Sequence, residues 1–145
     1  MRKSLTQASW IGLLLILLAP FVLGQDAAPG QATVAVEESS GWGPHLVDGE
    51  GRSLYIYLED EEAADGTACV DICENNWPPF LAEDVQAGEG VDEGLLGTFT
   101  RPDGSTQVTY AGWPLYYFGR DAEAGHVRGQ ALGEVFYLVG AGGMA

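Results

Sequence analysis

Apolar and polar residues alternate in short bursts along this chain, and glycine, proline or acidic turn residues close each burst. His45-Leu46-Val47 predicts a short strand, Asp48-Gly-Glu-Gly51 a turn, and Arg52 to Leu58 the returning strand. Within that return, Tyr55 and Tyr57 share one face while Leu54, Ile56 and Leu58 share the other, because side chains alternate along a strand. Both faces are apolar or aromatic, so the strand is expected to be covered on both sides. The pattern recurs downstream. Leu95 to Arg101 predicts a strand, Pro102-Asp-Gly-Ser105 a turn, and Thr106 to Tyr110 the return. Ala111-Gly112 is short enough for a two-residue hairpin loop into Trp113 to Phe118. Val135-Phe-Tyr-Leu-Val139 reads as a last, central strand, and the tail after Gly140 as frayed.

The recurrence is literal. At a constant offset of 61 residues, Leu54 matches Leu115, Tyr55 matches Tyr116, Tyr57 matches Phe118 and Asp60 matches Asp121. Each copy reads Leu-Tyr, any residue, an aromatic, two of anything, then Asp, followed by an Ala/Glu turn that ends at Gly66 or Gly125. The expected fold class is mostly β: a small single domain of two similar hairpin-containing repeats with short helical turns and long loops. Repeat one spans about 42–81 and repeat two about 95–140, joined by an acidic, glycine-rich connector over 82–94. Residues 141–145 are the tail. Residues 25–41 read as a flexible leader carrying at most one weak edge strand, at Val34 and Val36.

The first 24 residues have a different character. Arg2 and Lys3 precede an apolar run from Trp10 to Leu23, and Gly24 comes just before Gln25. This is the layout of a cleaved secretory signal, shorter than the roughly 20 apolar residues a spanning helix needs. Its removal leaves four arginines, no lysine and 21 acids, a formal charge of −17. So acidic a surface excludes nucleic acid and anionic membrane as partners, since both require basic patches.

The remaining candidates are few. In an exported chain Cys69 and Cys73 are expected to pair as a structural disulfide, with a redox dithiol and a metal site as the alternatives. Asp60 and Asp121 are expected to cap the turns that follow them, so asparagine or serine would replace either one; calcium ligation and acid–base chemistry are the alternatives. Asp48, Glu50, Glu59 to Glu62 and Asp65 offer oxygens to a divalent cation, but without EF-hand spacing. They support weak cation binding at most, with no ligand set assigned. His45 and His126 do not recur at the repeat offset and read as surface or turn residues, and Ser53 and Ser105 lack a nucleophile-elbow context. Tyr55, Tyr57, Trp113, Tyr116, Tyr117 and Phe118 read as core before they read as a ligand platform or an electron path.

The doubled Tyr-x-aromatic-x-x-Asp motif, Trp77-Pro78-Pro79 after the cysteine pair, Asp103 to Tyr110 leading into Gly112 to Phe118, and Gly129-Gln130 resemble the bacterial secreted-repeat lipoproteins. The resemblance spans about Gly43 to Val139. It implies an envelope or secreted protein of a family whose function is unknown, and it supplies no catalytic residue and no cofactor. The lipid-attachment cysteine of many relatives is missing, with Gln25 at the expected cleavage point, which favours a released or periplasmic form. The functional expectation is a non-catalytic extracytoplasmic binding or structural module with an envelope or extracellular partner. The alternatives are a small electron-handling protein using Cys69, Cys73 and the aromatics, and a hydrolase with unrecognised residues.

Overall fold

The computed structural model describes residues 31–62 and 66–143. Strands β1 (Gln31–Ser39), β2 (Gly43–Asp48) and β4 (Asp84–Ala87) form one sheet in the order β2-β1-β4. Strand β3 (Tyr55–Tyr57) pairs with β8 (Phe136–Leu138), and β5 (Leu96–Thr100), β6 (Thr106–Tyr110) and β7 (Trp113–Pro114) form a third sheet in that order. Short 3₁₀ turns at Leu58–Glu62, Glu93–Leu95 and Leu132–Glu134 and the one-turn helix α1 (Ile72–Asn76) link them. The chain is mostly β, as its periodicity requires.

Two segments are more ordered than their composition suggests. Residues 31–39, inside the expected leader, are the middle strand of the first sheet, antiparallel to β2 and parallel to β4. Ala32, Val34 and Val36 recur at spacing two and pack into the same core as Leu46 and Leu54. The Val34/Val36 alternation marks a strand, but it is the central strand of its sheet and not the weak edge strand expected. Strand β4 lies in the expected connector, and its Val85 joins the same core. Residues 25–30, the expected signal segment and residues 63–65, including the cation candidate Asp65, lie outside the described residues.

The first hairpin is shorter than its pattern. Val47 bridges Ser53 and Asp48 N–H donates to the Arg52 carbonyl, but from Tyr55 onward the chain leaves β2 and pairs with β8. The second hairpin, β5–β6, is registered from Leu96↔Tyr110 to Thr100↔Thr106. A two-residue loop follows it, with Ala111 and Gly112 both left-handed at φ 50° and 84°. The strand after it ends early, at Pro114. Strand β8 is confined to Phe136–Leu138, with β3 as its ladder partner. The segment after it is held: Tyr110 donates its hydroxyl proton to the Ala141 carbonyl at 2.7 Å.

The two repeats are interlocked. Tyr55 and Tyr116 exchange a reciprocal pair of backbone N–H···O bonds, each 2.9 Å. Outside this pair, the end of each repeat lies against the tyrosine segment of the other. Leu138 pairs with Tyr55, and Pro79 bridges Tyr116. The two-stranded β3–β8 sheet is thus built from one strand of each repeat, while β5–β6–β7 lies wholly within the second.

Candidate functional site

The repeated motif does its work across the centre of this exchange. The Tyr55 hydroxyl donates to Asp121 Oδ2 at 2.5 Å, and the Tyr116 hydroxyl donates to Asp60 Oδ2 at 2.7 Å. The other oxygen of each carboxylate accepts a backbone N–H from further along its own repeat: Arg128 to Asp121 at 3.0 Å, Ala68 to Asp60 at 2.7 Å. These bonds correct the capping expectation. Asp60 lies inside the turn Leu58–Glu62, and the residues directly after Asp121 form no helical turn. Both tyrosines are fully buried and both aspartates nearly so. Burial pushes the Tyr55 hydroxyl far above its ordinary pKa, and the Asp121 hydrogen bond and charge push the same way. Burial likewise raises Tyr116 and lifts Asp60 above the usual carboxylate range, against the hydrogen bonds Asp60 accepts.

Beside these pairs the aromatic rings form a continuous stack. Tyr57 stacks on Phe136 at 4.4 Å, Phe136 on Trp77 at 3.6 Å with an interplanar angle of 5°, and Trp77 meets Phe118 at 4.5 Å. Trp77 and Phe136 come from the exchanged ends of the two repeats, Tyr57 and Phe118 from matching motif positions. Gly129 lies against this group, where a Cβ would stand 2.7 Å from Trp77 and 2.9 Å from Tyr55. Tyr57 closes one end by donating to Glu59 at 2.5 Å, and its hydroxyl is pushed up to about 12 by burial and that bond.

Cys69 and Cys73 form a disulfide with a Cα–Cα distance of 5.2 Å, and Cys69 is fully buried. Arg101 holds this loop to the second hairpin. Its guanidinium donates to the Cys69 carbonyl at 3.1 Å, to Glu74 and to Gln107, while the Gln107 amide donates to the Leu115 carbonyl at 2.7 Å. Nothing in the repeat pattern singled out Arg101; its scarcity was the signal. His45 is buried rather than superficial. Its Nε2 is 3.1 Å from Ser53 Oγ and its Nδ1 3.1 Å from the Gly43 carbonyl, while Ser53 donates to the His126 carbonyl at 2.6 Å. This serine–histidine pair is sealed from solvent and its hydroxyl is engaged, which removes it as a nucleophile. Asp48 is also engaged, accepting from the Glu50 and Arg52 N–H groups and the Tyr117 hydroxyl. Among the described residues no three acidic, His or Cys side chains converge as a metal site.

A cavity of about 400 Å³ lies at the Phe118 end of the stack, lined by Asn76, Trp77, Phe118, Arg120, Arg128 and Leu132, and a second of about 310 Å³ lies beside Asp60, Glu61 and Trp113. In the larger cavity, Asn76 ends helix α1 and Trp77 follows it, while Phe118, Arg120, Arg128 and Leu132 come from the segment between β7 and β8. Leu132 is 46% exposed although it is a large apolar side chain. Arg120 and Arg128 are exposed, and neither forms an ion pair among the described residues. Neither pairs with Asp121: Arg128 reaches it only through its backbone N–H. The motif residues Tyr55, Asp60, Tyr116 and Asp121 thus converge at the repeat junction; Phe118 also lines the larger cavity and Asp60 the smaller.

No curated protein and no solved structure matches the chain. A family model described as a secreted repeat of unknown function matches residues 39–80 and 97–139, more than half of the chain and two copies of one unit. Those boundaries fall on the two interlocked halves, so the chain belongs to this family of secreted repeats.

Proposed function

We propose that this protein is a non-catalytic extracytoplasmic binding module, periplasmic or released, whose ligand occupies the cavity at Asn76, Trp77, Phe118, Arg120, Arg128 and Leu132. The cavity carries the reading. It joins buried rings, an exposed leucine and two cations, the mixed lining that small-molecule sites favour. The groups that could do acid–base or nucleophilic chemistry, Asp60, Asp121, Ser53 and His45, support the same reading, since their hydrogen-bonding atoms serve the fold. The test is native mass spectrometry of protein recovered from the envelope or medium without denaturation. The wild type should carry a non-covalent adduct that denaturation releases and that Leu132→Trp, which fills the cavity, excludes. An adduct on both proteins, or on neither, overturns the proposal.

A second reading, electron handling, is favoured by the four-ring stack beside the Cys69–Cys73 disulfide. Thiol titration under mild reductant separates the two. A disulfide that opens only when the chain unfolds supports binding, and one that cycles in the folded protein supports electron handling.

A further inference from the structure

The geometry points to a ligand class for this cavity: a small organic anion, a carboxylate on a flat apolar body. The inference rests on the binding reading above and adds the charge and shape of what is bound.

Charge is the first argument. Past the expected signal segment the chain has four arginines and no lysine against 21 acids. Two of the four arginines have structural duties. Arg101 is buried against Glu74 and Gln107, and Arg52 lies over the Tyr117 ring at 4.1 Å. The other two, Arg120 and Arg128, line one cavity. Elsewhere so acidic a surface repels anions, so this rim is where an anion can be held. The planar guanidinium fork matches a carboxylate with two parallel N–H···O bonds, which a point charge does not.

The repeat supplies an internal comparison. At the 61-residue offset Arg120 corresponds to Glu59. The first half closes its end of the ring stack with a Tyr57–Glu59 bond, while the second half ends in Phe118, which has no hydroxyl, beside a cation and a cavity. The fold therefore does not require Arg120. What distinguishes this end from its counterpart is the provision for an anion.

Shape is the third argument. Trp77 and Phe118 are each 5% exposed and line the cavity beside Leu132, so the body of the ligand meets aromatic and aliphatic carbon. A volume of about 400 Å³ holds a one- or two-ring molecule, and Asn76 adds an amide able to donate or accept.

The experiment compares two probes of one shape, 2-naphthoate and 2-naphthamide, titrated into the disulfide-bonded mature chain by ligand-observed NMR. Naphthoate should bind at least about tenfold more tightly, a margin expected for charge-assisted bonds to arginine. Arg120→Gln and Arg128→Gln should each reduce that margin, and the double variant should remove it while leaving naphthamide binding unchanged. Arg52→Gln, which lowers the net charge equally but lies elsewhere, should preserve the margin and controls for the general field. Both side chains of the pair are exposed, so the variants should fold, which circular dichroism checks. Equal binding of the two probes overturns the anion assignment and leaves the binding reading standing. Naphthoate that fails to bind up to millimolar concentration overturns the assignment as well, and the native adduct experiment then decides the binding reading by itself.

Discussion

Tyr55 and Asp121 lie 66 residues apart in sequence and 2.5 Å apart in space, and that bond belongs to both repeats at once. The motif reads as a local unit, but its tyrosine and its aspartate each serve the other copy. A double-mutant cycle resolves this. Tyr55→Phe and Asp121→Asn should couple by about 1–3 kcal/mol, as a buried charge-assisted hydrogen bond does, whereas Tyr55→Phe and Asp60→Asn should be additive to within about 0.5 kcal/mol. Asp121→Ala leaves the Tyr55 hydroxyl and the Arg128 N–H without an acceptor and should cost about 3 kcal/mol. Asn replaces one acceptor of the two, so it should recover about half of that loss, less than a simple cap would allow. Urea unfolding of the four single and two double variants gives all these numbers. Coupling between Tyr55 and Asp60 would refute the exchange.

At the level of elements, the hairpins are joined by a few buried contacts that no local pattern announces. The disulfide closes a loop of four-residue separation, and removing it by Cys69→Ala with Cys73→Ala should cost about 2 kcal/mol in the chain-entropy account. Arg101→Ala should cost more, about 3 kcal/mol. It strips the buried Gln107 Oε1 and the Glu74 carboxylate of their guanidinium donor, leaves the Cys69 carbonyl with only the Thr67 hydroxyl, and separates the α1 loop from the β5–β6 hairpin. A stability ranking with the disulfide above Arg101 would contradict this account. Gly129 tests the packing of the ring stack. A methyl group there meets Trp77 and Tyr55 inside contact distance, so Gly129→Ala should destabilise by about 1–3 kcal/mol and shift the near-ultraviolet dichroism of Trp77.

Over the whole molecule, burial gives the ionisable groups a common direction. Asp60 binds its proton more tightly folded than unfolded. Its contribution favours the fold below the ordinary carboxylate range and is lost as pH rises through its raised folded value. Tyr55, Tyr57, Tyr116 and Tyr117 are all raised as well, with burial the largest cause in each. Their contribution is present below about pH 10 and is lost above it as the unfolded chain ionises first; the Tyr57 part is spent by about pH 12. Thermal unfolding should therefore show a maximum on the acid side of neutrality and a steep fall above about pH 10, with phenolate absorbance rising only as the fold is lost. Phenolate appearing at pH 10 in folded protein would contradict the burial of these rings. Added NaCl should raise the melting temperature by screening the acidic surface, and CaCl₂ at equal ionic strength should add nothing further. A saturable gain at micromolar calcium would reveal a cation site.

Much of this architecture was legible in the chain itself. The constant-offset repeat defined two units and placed Tyr55, Tyr57, Asp60, Tyr116, Phe118 and Asp121 in matching positions. The cysteine spacing in an export context indicated the disulfide, and Pro102-Asp-Gly-Ser105 and Ala111-Gly112 indicated the β5–β6–β7 turns. These are local signals, carried by side-chain period and turn chemistry within a few residues. The partners of the motif were not legible, because a tyrosine hydroxyl and a carboxylate have no preference for a neighbour over a residue 66 positions away. Strand β1 was legible only as a weak edge strand at Val34 and Val36, and β4, with Val85 its one strongly apolar residue, was not; their parallel pairing is set by tertiary contact alone. The Arg120–Arg128 cavity was hidden because the two residues are eight apart in sequence and come to line one cavity only in the folded chain. Periodicity within the chain determined the elements, and the exchange between the repeats determined which of their groups face one another.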